Sequence, residues 1–179
     1  KDNYGAAAYV IQAAGTESRI VGRVIAPEDG PDQSAYRSEL TGILATIVMV
    51  NKLCEFYNLN EGSLEFGCDG LTALNMAFSK VTVLSIEDPN YDILGAIKTY
   101  LSNTRITWKA RHVEGHQDDE KDLEDLDQWA LLNIEMDLLA KQHIAVAKTK
   151  PRHYMIKNEP WSIWLGEKKV MKNLHANMY

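Results

Sequence analysis

Three carboxylates and one imidazole in this chain stand where they could work on bound cations. Glu39 lies in the first turns of a segment with helical spacing, just ahead of its apolar run. Asp69 ends an alternating stretch and is followed by Gly70, where the chain can bend sharply. Asp137 lies inside a second helical stretch, among Met136, Leu138 and Leu139. Taken singly, each has a structural explanation. A Glu in a first helical turn complements the helix dipole, an Asp-Gly after a strand is turn chemistry, and an Asp within a helix sits on the solvated side. As a set they outline a site for hard cations. Two helix carboxylates and one strand-end carboxylate offer the oxygen ligands that two Mg²⁺ or Mn²⁺ ions, about 4 Å apart, need to flank a phosphate. His116 follows Gly115 in a polar loop, and an imidazole that titrates near neutrality suits proton transfer. Asn133 precedes Asp137 by four residues, so both point from one helical face.

Such a set has to be carried by a strand between helices. Tyr4 to Gln12 (YGAAAYVIQ) is small, apolar and partly β-branched, and reads as a buried strand. After the turn at Ala14-Gly15-Thr16, Arg19 to Ala26 alternates Ile20, Gly22 and Val24 with Val21, Arg23 and Ile25, as a hairpin partner does. Pro27 to Asp32 is a loop by composition. Ser34 is the expected N-cap of a long amphipathic helix whose face repeats Leu40, Ile43, Leu44, Ile47, Val50 or Asn51, and Cys54 or Phe56. Leu64, Phe66 and Cys68 alternate in a short strand that ends at Asp69. Leu71 to Ser79 and Tyr91 to Leu101 are expected helices, Arg105 to Val113 a strand, Glu114 to Asp125 an acidic loop, and Leu126 to Ala147 a helix. Strands alternating with helices after a hairpin predict an α/β fold, a mixed sheet flanked by helices.

The bulk numbers narrow the classes. With 179 residues, 45% hydrophobic and 25% charged, the chain has the mix of a globular domain, and it is long enough to bury a core without disulfide or metal staples. Cys54 and Cys68 have neither metal-site spacing nor the density of a secreted scaffold, which points to a reducing interior, cytoplasmic or nuclear. No apolar run approaches the ~18 residues of a membrane span. The net charge of −6 argues against a free-standing, tight nucleic-acid binder, which would carry a basic excess. It leaves room for a metal-dependent nuclease delivered to its substrate by neighbouring domains. The amino terminus, Lys-Asp-Asn-Tyr, has no initiator Met and no signal pattern, and reads as a cut inside a longer protein.

Five short motifs in order make the reading more specific: YGAAAYVI, SAYRSEL opening a helix, a strand into CDG, HVEGH leaving a strand, and NIEMD on a helix. Together they resemble the type 1 ribonuclease H family, most of all the domains carried by retrotransposon reverse transcriptases, over roughly residues 3 to 147. The resemblance implies a five-stranded mixed sheet and two-metal hydrolysis of the RNA strand in RNA–DNA hybrids by four carboxylates. It implies that Glu39 is the second carboxylate and stands near the ribose 2′-hydroxyl. Asp69 would be the third, on the metal that activates water, and Asp137 the fourth, on the leaving-group side. His116 would assist product release or proton transfer. Ser34 and Tyr36 stand where cellular members carry an Asn-rich, hybrid-gripping segment, and with Asn133 they are the substrate-binding candidates.

The departures are equally specific. The first carboxylate of the family belongs to an Asp-Gly-Ser-type motif that ends a strand ahead of the YGAAAYV segment, so the first strand is expected to be missing here; Asp2 falls in the connecting loop and is not a ligand. Glu114 replaces the usual basic residue before Gly115-His116. Residues 148–179, with Trp161 and Trp164, are expected to lie beyond the domain, either docking on neighbours or packing back. Two other classes stay in view. One is an integrase, transposase or exonuclease core acting on DNA. The other is a ribonuclease H-like module without catalysis, kept for protein contacts.

Overall fold

The computed structural model describes residues 4–27, 33–80, 84–85, 87, 90–149, 156, 162–166 and 168–170. It is a mixed α/β structure with four α-helices and three two-stranded sheets among these residues. Trp161 and Asp2 lie outside the described residues.

Strand β1 (Ala6–Gln12) pairs antiparallel with β2 (Arg19–Ile25) through the turn at Gly15, whose φ of +72° suits glycine. Tyr9 lies opposite Gly22, and its ring covers the glycine so closely that a Cβ there would sit 2.1 Å from the ring. Helix α1 (Ala35–Phe56) starts as its sequence requires: the Ser34 hydroxyl accepts from the Arg37 N–H at 3.1 Å. Strand β3 (Ser63–Cys68) pairs in parallel with β4 (Thr107–His112), joined by α2 (Leu71–Phe78) and α3 (Tyr91–Ser102), the helical crossover that a parallel pair needs. The acidic loop after β4 folds into two 3-10 turns, and α4 (Gln128–Ala147) opens with Asp127 accepting from the Ala130 N–H. A last hairpin, β5 (Ile163–Leu165) and β6 (Lys168–Val170), turns at Gly166.

The core lies where α1, α2 and α3 meet β3. Leu40, Ile43 and Ile47 of α1 pack with Leu74 and Ala77 of α2, Ile93, Leu94 and Ile97 of α3, and Phe66 of β3. In place of one mixed sheet, β1 to β4 form two separate pairs bridged by helices. Helix α1 touches both pairs: its Gly42 backbone approaches Ala7 of β1, while its apolar face meets Phe66 of β3. Helix α4 also spans both, packing along β1 and β2 and laying the Trp129 ring on Gly67 of β3. The outer edges of β1 and β3 have no strand partner among the described residues. Their apolar side chains (Ala7 to Ile11, and Leu64) remain only half-buried accordingly.

The described part of the C-terminal segment packs back on the domain. Lys169 of β6 and Arg37 of α1 both reach Asp92 of α3, and all three side chains are fully buried. Among the described residues no helix is long and apolar enough to cross a membrane.

Candidate functional site

The parallel β3–β4 ladder builds the floor of the site. It continues one step past β4, where the Val113 N–H donates to the Cys68 carbonyl at 3.0 Å. This delivers Asp69 and the Gly115-His116 loop to the same sheet end. The Asp69 carboxylate then lies against Gly115, 3.3 Å from where a Cβ would stand. Glu39 arrives from α1, its carboxylate on Gly70; a Cβ on Gly70 would be 2.3 Å from Glu39 Oε2. Two glycines therefore clear the space in which the two acids meet.

Electrostatics agree with that proximity. Burial raises the Glu39 pKa above the ordinary carboxylate range, and the neighbouring Asp69 charge raises it further. A raised acid pKa beside a second carboxylate is what a cation would relieve. Burial pushes the Cys68 thiol up to about 12, the backbone N–H of Gly70 opposing it and Asp69 and Glu39 adding to it, so Cys68 is an inert thiol here.

Asn133 completes the inner ring. From α4 its Nδ2 donates to Asp69 Oδ2 at 3.4 Å, a long bond that links the last helix to the β3 end. His112 Nε2 lies 3.1 Å from the Asp69 carbonyl, which can only accept, so His112 carries its proton on Nε2 in that contact. His116 is exposed, caps a 3-10 turn and has a φ of +54°. Such a left-handed backbone in a non-glycine residue keeps the ring at a sharp corner of the loop.

The remaining candidates are placed differently. Asp137 lies one helical turn, about 6 Å, beyond Asn133, and its carboxylate is held by Lys141 on the same face. Asp118 and Asp119 of the acidic loop add to the field on Lys141. Of the three carboxylates expected to cluster, Glu39 and Asp69 come close enough for the charge of one to act on the other, while Asp137 pairs with Lys141. Among the described residues no three His, Cys, Asp or Glu side chains are close enough together to hold a metal ion. Ser34 spends its hydroxyl on the helix cap, and the Tyr36 ring packs against the hydrophobic core.

Sequence reasoning missed His112 and Trp129, and read Gly70 as a bend only, not as the place where the Glu39 carboxylate rests. The two glycines flanking the acid, in CDG and VEG, were the available sign, since a bare backbone beside a carboxylate leaves room for one. Trp129 over Gly67 had no such sign, although its ring is also faced by Arg111 at 5.3 Å. A prediction follows for Gly70. Its φ of −73° and ψ of 81° are open to alanine, and the clashing atoms are the tip of a flexible side chain. Gly70→Ala is expected to leave the melting temperature within a few degrees but to swing the Glu39 carboxylate off Asp69. Calorimetric titration with Mn²⁺ checks it; unchanged affinity would mean that Glu39 takes no part in holding the ion.

Comparison with models of protein families, with characterised proteins and with solved structures returns no match for this chain.

Proposed function

We propose that this chain is a ribonuclease H-type nuclease domain that hydrolyses the RNA strand of RNA–DNA hybrids with two Mg²⁺ or Mn²⁺ ions. It would serve within the reverse transcriptase of a retrotransposon-like element, beside other domains of that polyprotein. The observation that carries the reading is the meeting of Glu39, Asp69 and Asn133, from a helix, a strand end and a second helix, at the Gly115-His116 loop. The open edges of β1 and β3 support it as well. An open strand edge can take up a further strand, such as the one that the resemblance places ahead of β1 with the first carboxylate at its end.

When bound, the ions would supply a Lewis acid for the phosphate and a lowered pKa for the attacking water. The protein groups divide the remaining work. Asp69 and Glu39 hold charge opposite the ions, and Asn133 orients Asp69. Asp137 pairs with Lys141 through one oxygen, in an exposed and therefore weak ion pair, so its other oxygen would be open to an ion. His116, exposed on its loop, is free to carry a proton to or from the departing strand. Tyr36 and Ser34 then support the helix that bears Glu39, and the Ser34 hydroxyl, an acceptor at the cap, keeps its own proton to donate.

Metal binding by residues 1–179 is expected to be weak, because the site pairs only two carboxylates. With a Kd of about 5 mM, 10 mM Mg²⁺ adds roughly 0.6 kcal/mol, a melting shift of one or two degrees. Glu39 fixes the sign of the pH effect. Its folded pKa is raised, so the ion must displace a proton until the pH exceeds that raised value. Affinity should therefore decline on acidification at a pH above the ordinary carboxylate range, and Glu39→Gln should remove that part of the decline. Tight binding by calorimetry, or no pH dependence, would contradict this.

The function itself is tested with a labelled RNA strand in an RNA–DNA hybrid. Residues 1–179 preceded by an Asp-Gly-Ser strand should cleave the RNA in Mg²⁺, and residues 1–179 alone should show little or no cleavage. No cleavage by the extended chain, with the fold intact, would favour the non-catalytic reading.

A further inference from the structure

Arg37 precedes Glu39 by two residues, and at 100° per residue their side chains leave α1 about 200° apart. Glu39 reaches Gly70, while Arg37 is anchored on the opposite side of the helix. Its Nε donates to the Pro27 carbonyl at 3.0 Å, Nη1 to Asn90 Oδ1 at 2.9 Å and Asp92 Oδ1 at 3.1 Å, and Nη2 to Asp92 Oδ2 at 2.9 Å. A two-pronged guanidinium–carboxylate pair fixes direction as well as distance, so this anchor sets how the first turns of α1 are rotated about their axis.

The anchor does not end at α3. Lys169 Nζ of β6 donates to Asp92 Oδ2 at 3.2 Å, and the Tyr91 hydroxyl donates to the Val170 carbonyl at 3.0 Å. Arg37, Asp92 and Lys169 have fully buried side chains, so the hairpin seals the carboxylate from water. Lifting the hairpin would wet Asp92 and give Arg37 a competing solvent. We propose that Lys169, acting through Asp92 and Arg37, is a positioning residue for the Glu39 carboxylate, which makes the β5–β6 hairpin a working part of the site. The value of that position rests on the reading of Glu39 as a metal-holding group; the mechanical coupling does not.

The test is nuclear magnetic resonance on the full 179-residue chain, reading Overhauser contacts between the Glu39 side chain and the Gly70 α-protons. These contacts are expected in the natural chain, lost in Lys169→Met and restored in Lys169→Arg. Tyr91→Phe, which removes one tie to the hairpin and keeps the three charged residues, should weaken them, and it decides the matter if Lys169→Met does not fold. A folded Lys169→Met or Tyr91→Phe chain with the contacts at full strength overturns the proposal, whatever its melting temperature, because a hairpin that only stabilises would lower the melting point and leave Glu39 in place. A parallel Mn²⁺ titration of Glu39→Gln separates the two ideas. Unchanged Mn²⁺ affinity there would remove the metal role of Glu39, while the Overhauser contacts still decide the coupling.

Discussion

Asp69→Asn is expected to lower metal-dependent cleavage of the hybrid by a factor of about a thousand or more, some 4 kcal/mol of barrier. Cleavage here means that by the chain preceded by an Asp-Gly-Ser strand. The substitution keeps side-chain volume and removes the negative charge that would face the water-activating ion. The fold should survive, since among the described residues the Asp69 side chain makes one long hydrogen bond, to Asn133, and its contact with His112 is through the backbone carbonyl. The loss should therefore fall on kcat rather than on hybrid affinity. His116→Ala offers the contrast: an exposed loop imidazole should slow turnover by a modest factor and leave the single-turnover cleavage step close to normal. Equal losses in the two variants would mean that the roles are wrongly divided.

The largest stability effect is expected at Asp92. Burial alone would raise its pKa, but the Arg37 hydrogen bonds and the Arg37 and Lys169 charges outweigh that and hold it below the ordinary range. A lowered folded pKa contributes stability above the unfolded pKa, and that contribution is lost as the pH falls through the folded value. Asp92→Asn removes the only anion of the triad and leaves two buried cations facing each other. A loss of about 3–5 kcal/mol follows, or roughly 6 to 20 °C in melting temperature for a chain of this size. Replacing all three charges with apolar residues of similar volume should cost far less, because no charge is then stranded. Thermal unfolding of the single and triple variants at one pH reads this directly. A single variant that loses less than about 1 kcal/mol would show that the triad is open to water.

Much of the fold could be read from local pattern, and the reasons are physical. Helix α1 carries its own 3.6-residue stripe and its Ser34 cap, so its span needed no tertiary information. The β1–β2 hairpin and the β3 strand were likewise set by alternation and by the turn at Gly15. Sheet organisation was not local. Alternation names the strands and not their partners, and β1–β2 and β3–β4 form separate pairs even though α1 and α4 cross both. Lys169 was equally hidden: in the run Lys168-Lys169-Val170 it looks like a solvated lysine, and Asp92, 77 positions away, is a partner that helps make its burial tolerable. In the site, Glu39 and Asp69 were visible because an acid opening an apolar helix and an acid ending a strand are both informative placements. The position of Asp137 was not settled by its helical face, since Lys141 lies four residues on and captures it. His112 touches a backbone carbonyl, a contact with no sequence signature.

The measurement closest to the central claim is Mn²⁺-induced broadening of the amide signals of the 179-residue chain at millimolar ion. Broadening should be greatest at Glu39, Asp69, Gly70, Gly115 and Asn133, and Asp69→Asn or Glu39→Gln should abolish it there. The acidic stretch Asp118 to Asp125 provides an internal competitor, exposed and rich in carboxylates. Broadening centred on that stretch, and untouched by either substitution, would contradict a metal site built on Glu39 and Asp69.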